Sequence, residues 1–218
     1  MMKPHRRSFL AGTAALAAGA ALPRAAAAQV TMRQIRTLRG DVRVNGRPIG
    51  PDAVIRTGDR VTTGPDGYIA FVVGNDAFML RAQCALEIDS GPESYLITGL
   101  RLLSGALGAV FGKRSRGQVK IVAPTVTAGI RGTGCYLEAL PRATYFCTCY
   151  GTIDLASSVN PRDRVTATCR HHDAPSRFLR EPIDGSLILP AEMATHTDAE
   201  MAFLAHAAGQ RAAWEKLG

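Results

Sequence analysis

The chain is 218 residues long, is 46% hydrophobic and 20% charged, and contains 22 glycines and 12 prolines. This balance excludes a disordered tail and a fibrous repeat, and the length predicts one folded domain or at most two. Many glycines combined with only 6% aromatic residues favour short strands and turns over long helices.

The first 28 residues have the pattern of an export signal. A basic start that contains Arg6 and Arg7 is followed by an apolar stretch over 9–22 and then by small residues. That stretch is shorter than the roughly 20 residues of a membrane-spanning helix, so we expect residues 1–28 to be removed. The paired arginines, followed by Ser-Phe-Leu, resemble the twin-arginine signal. We therefore expect a mature protein that is soluble in the periplasm and has no membrane anchor.

Part of the positive charge of the chain lies in this signal. The formal net charge is +8, and residues 1–28 contribute four basic residues and no acidic residue. The remainder carries a formal charge of +4, which implies no particular partner. No later window combines a dense run of lysine and arginine with aromatic residues, so nucleic-acid binding is not expected.

After the signal, short β-branched runs alternate with turn residues. Residues 40–46 show a period of two and end in an Asn-Gly turn. Strands are also predicted over 68–73, 77–81, 82–88, 119–122, 126–130, 135–139 and 144–155. Residues 96–110 are rich in leucine, but Gly99, Gly105 and Gly108 oppose a helix, so strand and loop are expected there. The pattern predicts an all-β domain of stacked short strands, either a β-sandwich or a β-solenoid-like fold.

Residues 156–218 form a predicted C-terminal extension of different character. Polar loops are followed by a short hairpin or strand over 182–190 and by one amphipathic helix at about 198–208. Thr197 and Glu200 have the spacing of a capping box, and apolar residues follow at helical spacing. We expect this helix to pack against the β domain.

Motifs between residues 36 and 155 resemble the FecR domain family. They occur in the family's order: Gly-Asp-x-Val-x-Thr-Gly beginning at Gly58 and Asp59, Leu-x-Gly-x-Leu over 103–107, Pro-x-Val-x-x-x-x-Arg-Gly-Thr with Pro124, Arg131, Gly132 and Thr133, and the closing Tyr150-Gly151 pair. The resemblance implies an all-β extracytoplasmic domain at 36–155 that is used for binding or signalling and not for catalysis. Its partner would be a periplasmic protein or a small ligand.

The Arg-Gly-Thr motif also has a structural explanation. Gly132 allows a positive φ, and the guanidinium of Arg131 can donate to loop carbonyls. A phosphate-binding loop would need a strand followed by a helix, which this region lacks. We therefore expect these residues to shape a turn rather than to bind a ligand.

Cysteines are the strongest chemical signal in the chain. There are five, an odd number that cannot all pair within one molecule. Cys147 and Cys149 are two residues apart in a predicted strand, so both side chains lie on one face. If the hairpin with the preceding strand is centred on Pro141 or on Arg142, Cys135 lies on that face as well. The sequence thus predicts three thiols close together.

Two chemical interpretations of these three thiols compete. In the first, Cys135 forms a cross-strand disulfide with Cys147 or Cys149 and leaves one thiol free. In the second, three thiolates and one imidazole bind zinc, copper or an iron–sulfur centre. Export of a chain already folded in the reducing cytoplasm favours metal uptake before oxidation. The candidate fourth ligands are His171, His172 and His196, with Asp173 and Asp198 as carboxylates that support a ligating ring.

The other two cysteines carry weaker signals. Cys84 is expected to be a small buried hydrophobe. Cys169 lies just before His171 and is expected either to join the cluster or to pair with Cys84.

The leading functional prediction is an exported, non-catalytic FecR-like binding or signalling module with an added structural Cys/His metal site. The alternative is a periplasmic metal-binding or metal-sensing protein that uses a cluster of three cysteines and one histidine. The sequence contains no Gly-x-Ser-x-Gly, His-Glu-x-x-His or Walker motif. The Gly134-Cys135 pair is similar to the nucleophile segment of L,D-transpeptidases, but Gly132-Thr133 stand where that family has Ser-His. A cysteine-dependent enzyme is therefore the least favoured interpretation.

Overall fold

The computed structural model describes residues 33–91, 93–114 and 118–216, so the predicted signal at 1–28 lies outside the described residues. Within them the chain is all-β with one short C-terminal helix, as predicted. The strands are β1 Ile35–Arg39, β2 Val42–Val44, β3 Arg47–Pro48, β4 Arg60–Thr63, β5 Tyr68–Val73, β6 Asp76–Leu80, β7 Ala85–Ile88, β8 Gly99–Val110, β9 Val119–Val122, β10 Val126–Ile130, β11 Gly134–Ala139, β12 Ala143–Ser157, β13 Arg164–Cys169, β14 Ser176–Ile183 and β15 Ser186–Pro190. Helix α1 is Asp198–Ala207, and a 3-10 turn follows at Trp214–Lys216.

The predicted strands agree with these bounds at most positions. The ambiguous leucine-rich segment 96–110 contains the long strand β8, because its glycines disfavour a helix and its neighbours supply ladder partners on both sides. The predicted strand over 82–88 begins only at Ala85 and leaves Cys84 between the turn at 82–83 and the strand. Residues 182–190 lie in the β14–β15 hairpin, which turns at Asp184 and Gly185.

The strands form two layers, the first with β1, β5, β6, β11, β14 and β15 and the second with β2, β3, β4, β7, β9, β10 and β13. Two long strands, β8 and β12, join the two layers. The first half of β8 pairs with β7 and β9, and its second half pairs with β6 and β11. In the same way, β12 pairs first with β11 and β14 and then with β10 and β13. Both strands change partners at a glycine, Gly105 with φ +76° and Gly151 with φ +90°. A Cβ there would also lie 2.5 Å from the Cα of Cys84 and 2.4 Å from Thr133 Cγ2, respectively, so only glycine fits both bends.

The main hydrophobic core lies between the two layers. It combines side chains of the first layer, such as Phe71, Phe78 and Phe146, with side chains of the second layer, such as Leu86 and Ile153. Each of these side chains is fully buried. Side chains alternate between the two faces of each strand, and this alternation decides which residues enter the main core.

Helix α1 covers the outer face of the first layer, here called the helix-covered face. Its buried residues are Met201, Leu204 and Ala205, which pack with Met79 and Tyr136 in a second hydrophobic cluster. No helix in the described residues is long and apolar enough to cross a membrane. With only ten residues, α1 needs this packing, because isolated helices of that length are marginal in water.

Specific polar contacts fix where α1 begins. The side chain of Thr197 accepts a hydrogen bond from the Glu200 backbone amide, and Glu200 accepts one from the Thr197 amide, which completes the predicted capping box. Arg81 on the sheet side donates to Glu200 at 2.7 Å and to the carbonyl of Thr195 at 2.8 Å. The start of the helix and the segment before it are therefore tied to the sheet.

We predict that Leu204→Ala lowers the free energy of unfolding by about 2–5 kcal/mol, since the fully buried side chain would leave a cavity under α1. Phe203→Ala is the matched control, because Phe203 is 41% exposed, and it should change stability by less than about 1 kcal/mol. Urea denaturation midpoints measure both effects. Equal, small effects of the two substitutions would contradict the docking of α1 on the sheet.

Candidate metal centre

Cys147 and Cys149 lie side by side on the helix-covered face. Both are on β12, both are fully buried, and both belong to the cluster of side chains beneath α1. The sequence predicted that they share a face, and their two-residue spacing explains it.

Cys135 lies on the opposite face, which corrects the predicted three-thiol cluster. The β11–β12 ladder pairs Cys135 with Thr148 and Tyr136 with Cys147. The hairpin is therefore centred between Pro141 and Arg142, whereas the prediction centred it on one or the other. A change of one residue in register moves a side chain to the other face. Cys135 points into the main core. Two predictions are therefore wrong: the cluster of three cysteines and one histidine, and the disulfide between Cys135 and a thiol of β12.

Two histidines complete a cluster with the β12 thiols. His172 comes from the loop between β13 and β14, and His196 comes from the segment before α1. The distance from Cys147 Sγ to His172 Nδ1 is 3.3 Å, and that from Cys149 Sγ to His196 Nε2 is 3.5 Å. The two ring nitrogens are 3.1 Å apart. These two sulfur and two nitrogen atoms, here called the four-ligand cluster, all lie within 4.8 Å of one another.

Local contacts orient the ring of His196. Its Nδ1 is 2.8 Å from the carbonyl oxygen of Ala194, which holds the proton on Nδ1 and leaves the lone pair of Nε2 facing the thiols. The ring stacks on Tyr136 with centroids 4.4 Å apart and an angle of 11°. Tyr145 secures the same segment, since its hydroxyl accepts the amide of Ala194 at 3.1 Å. These contacts thus hold the ring of His196 with Nε2 in position to bind a metal ion.

The position of His172 depends on backbone contacts of its loop. Its amide donates to the carbonyl of Cys149 at 2.9 Å, and its φ is +55°. The Nε2 atom lies 3.2 Å from Asp198 Oδ1. If a cation binds at Nδ1, the ring proton must be on Nε2, beside the carboxylate of Asp198. Asp198 therefore lies beside the ring of His172, and its role as a supporting carboxylate stays a prediction.

Three of the six separations among the four atoms are close to those around one tetrahedral ion. Zinc bound about 2.0–2.1 Å from nitrogen and about 2.3 Å from sulfur sets tetrahedral ligands about 3.3 Å apart for two nitrogens and about 3.6 Å for nitrogen and sulfur. The observed separations are 3.1 Å between the nitrogens and 3.3 and 3.5 Å between sulfur and nitrogen. These three separations, with all four atoms within 4.8 Å of one another, would allow the cluster to hold a single ion.

The ligand set also selects the kind of metal. Thiolate and imidazole ligands suit zinc and related borderline ions, whereas calcium and magnesium require oxygen ligands. A two-iron cluster with two histidine and two cysteine ligands has its histidines on one iron and its cysteines on the other. The short sulfur–nitrogen distances leave no room for two irons between them.

The thiols of the cluster differ in their affinity for protons. A hydrogen bond from Cys149 is the largest cause that lowers the pKa of Cys147 to about 4, and the neighbouring rings of His172 and His196 lower it further. Burial, followed by the hydrogen bond to Cys147 and the charge of that thiolate, raises the pKa of Cys149 well above its usual value. The two directions make Cys147 the thiol that ionises first, and a bound metal ion would also displace the proton of Cys149.

The other predicted site residues have different environments. His171 is half-exposed, and its Nε2 is 2.8 Å from Asp198 Oδ2, outside the four-ligand cluster. The carboxylate of Asp173 accepts hydrogen bonds from the backbone amides of Arg170 and His171, and these bonds lower its pKa. It therefore shapes the loop, whereas the sequence pattern predicted that it would contact a histidine ring.

The remaining cysteines are buried in the main core. The described residues include all five cysteines, and each is a free thiol, so the predicted Cys84–Cys169 pair is not formed. Neither Cys84 nor Cys169 belongs to the metal-type clusters of the described residues. Cys84 is the small buried hydrophobe that the sequence predicted.

The FecR-like motif residues lie in turns and adjoining strands of the β scaffold. Gly58 has φ +89°, and Asp59 accepts the amide of Arg56 at 2.7 Å within the same turn. Gly132 has φ +75°, and Arg131 lies 3.6 Å from Asp154 on β12. These contacts explain the presence of the motif residues by the shape of the turns.

Aromatic neighbours of the cluster had no sequence signal. Trp214 lies with its ring centroid 4.8 Å from that of His171 and 5.2 Å from that of His172. Tyr136 and Tyr145 flank His196. Only the folding of distant segments brings these rings together.

Comparisons with known proteins agree with the export signal. Residues 3–23 match the family model of the twin-arginine translocation pathway signal sequence, which supports export across the cytoplasmic membrane. A search of curated proteins found no match. Two crystal structures of a “putative anti-sigma factor” from Parabacteroides distasonis ATCC 8503 are similar over 61% of this chain and 58% of theirs. They are 8% and 7% identical, with TM-scores of 0.49 and 0.48. This chain thus spans less than two thirds of the length of either.

We predict that mild oxidation forms no disulfide between Cys135 and either Cys147 or Cys149, because Cys135 lies on the opposite face of the sheet. Peptide mapping by mass spectrometry without reduction measures the linkages. The matched measurement on reduced protein identifies the free peptides. A peptide that joins Cys135 to β12 would contradict the observed register.

Proposed function

We propose that this chain is an exported, periplasmic, FecR-like β module that binds one zinc(II) ion, or a similar borderline cation, in the four-ligand cluster. The single observation that carries the proposal is the convergence of two sulfur and two nitrogen atoms within 4.8 Å of one another, with two sulfur–nitrogen separations and the nitrogen–nitrogen separation close to those of a tetrahedral site. The FecR-like motifs support a role in binding or signalling. In this proposal that role depends on whether the metal is bound.

Burial and charge favour a divalent ion in this position. All four ligand residues are less than one-tenth exposed. Two thiolates neutralise a divalent cation, and two neutral imidazoles complete its coordination, so the bound complex carries no net charge into the interior. An uncompensated charge there would be costly.

The closed coordination supports a non-catalytic site. Four protein ligands fill a tetrahedron, whereas catalytic zinc sites keep a position open for water or substrate. A closed site of this type contributes to folding and to the arrangement of the segments it joins. Neither a cysteine nucleophile nor a metal-bound water is needed in this proposal.

The metal would join three segments that are distant in sequence. Its ligands come from β12, from the β13–β14 loop and from the segment immediately before α1. His196 directly precedes Thr197, the N-cap of α1. Metal binding therefore favours the docked position of a helix that is too short to be stable alone. In this way metal occupancy controls the C-terminal surface of the module, which suits a sensing role.

The metal stoichiometry of the protein tests this proposal. We expect elemental analysis to find one equivalent of zinc in the wild-type protein and little in Cys147→Ser or His196→Ala, which remove ligands. Cys135→Ser is the matched control, because its thiol is equally buried but faces the main core, and it should retain the metal. Replacement by cobalt(II) should give the absorption of a tetrahedral thiolate site.

Two results would contradict the metal proposal. One is a folded wild-type protein that takes up no zinc or cobalt under reducing conditions. The other is equal metal loss in Cys135→Ser and Cys147→Ser. Circular dichroism of each variant separates loss of the ligand from loss of the fold.

We further predict that removal of the metal loosens the C-terminal segment. The chain has a single tryptophan, Trp214, which packs against His171 and His172. Chelation should shift its fluorescence to longer wavelength and speed cleavage by trypsin at Arg211, because His196 no longer holds the segment before α1. The Cys147→Ser variant should show both changes without a chelator. Identical spectra and cleavage rates with and without metal would exclude this coupling.

A further inference from the structure

A second group of ligand atoms, here called the outer group, adjoins the four-ligand cluster on its solvent side. It consists of His171 Nε2, His172 Nε2 and the carboxylate of Asp198, and its atoms lie within 4.8 Å of one another. His171 Nε2 is 2.8 Å from Asp198 Oδ2, and His172 Nε2 is 3.2 Å from Asp198 Oδ1. The two groups share only His172, which presents one ring nitrogen to each.

His172 provides an independent indication that the outer group binds a ligand. Its side chain is only 3% exposed. Its Nε2 atom has no hydrogen-bond partner within the described residues, although Asp198 Oδ1 is 3.2 Å away. A buried polar atom without a partner is costly, and a cation between the two side chains would satisfy it.

The outer group differs from the four-ligand cluster in its access to solvent. The side chains of His171 and Asp198 are 47% and 49% exposed. Three protein ligands leave coordination positions for water, so an ion bound there can exchange with solution. Two imidazoles and one carboxylate suit a borderline divalent cation such as zinc or cobalt(II). The four-ligand cluster is closed and needs a route by which an ion can enter.

We propose that His171, His172 and Asp198 form an outer, exchangeable cation site through which a divalent ion reaches the four-ligand cluster. The role as a route rests on the proposed function, whereas cation binding at the outer site does not. A neutral imidazole has one lone pair, so His172 can serve only one site at a time. Filling of the cluster through Nδ1 puts the ring proton on Nε2 and weakens the outer site. The two sites are therefore occupied in sequence.

The first arm of the test isolates the outer site. A Cys147→Ser/Cys149→Ser double variant cannot form the four-ligand cluster, and it should still bind one equivalent of cobalt(II) or zinc weakly in calorimetry. Adding His171→Ala should abolish that equivalent, whereas adding His206→Ala should not, because His206 pairs with Glu215 away from this group. If the double variant binds no cation, or binds it equally well without His171, the outer site is excluded.

The second arm measures entry into the cluster. In the chain with both cysteines, His171→Ala should slow the appearance of the thiolate–cobalt absorption about tenfold and leave its final amplitude unchanged. His206→Ala should load at the wild-type rate. Loading of His171→Ala at the wild-type rate would overturn the route. If wild-type protein shows no thiolate–cobalt absorption, the proposed function fails, and the first arm still decides whether the outer site exists.

Discussion

The register between β11 and β12 is the constraint on which the candidate site depends. It pairs Tyr136 with Cys147, so two thiols of β12 lie on the helix-covered face and Cys135 enters the main core. A shift by one residue would bury Cys147 and Cys149 between the layers, out of reach of both histidines. The same register sets Tyr136 beneath His196, where the two rings stack. One hairpin turn therefore decides which thiols meet which imidazoles.

The two bends of the sheet make room for this arrangement. Gly105 and Gly151 let β8 and β12 pass from one layer to the other, which leaves the second half of β8 and the first half of β12 as neighbours of β11. Their outer surface carries small and apolar side chains that α1 can cover. The rigid, doubly packed sheet thus supplies two ligands, and the covering segments supply the other two.

The C-terminal residues contribute both to the candidate site and to the packing of the fold. The segment that contains His196 is secured by Tyr145 and Arg81, and the same segment leads into the capped start of α1. Asp198, the first residue of the helix, faces both His171 and His172. Because these contacts are contiguous, a change at the buried ligands reaches the helix and the solvent-facing histidine directly. This physical continuity supports the sensing role that we propose.

Much of this protein follows from its sequence alone. The export pattern, the alternation that forms the strands, the capping box of α1 and the shared face of Cys147 and Cys149 all depend on residues close together in the chain, where local geometry is decisive. The tertiary structure decided the rest. The hairpin centre fell between Pro141 and Arg142, and a shift too small to read from turn residues removed Cys135 from the cluster. The placement of His172 and His196 beside the buried thiols required two loops to fold over the sheet, which no local pattern specifies, because their contacts join segments far apart in the sequence.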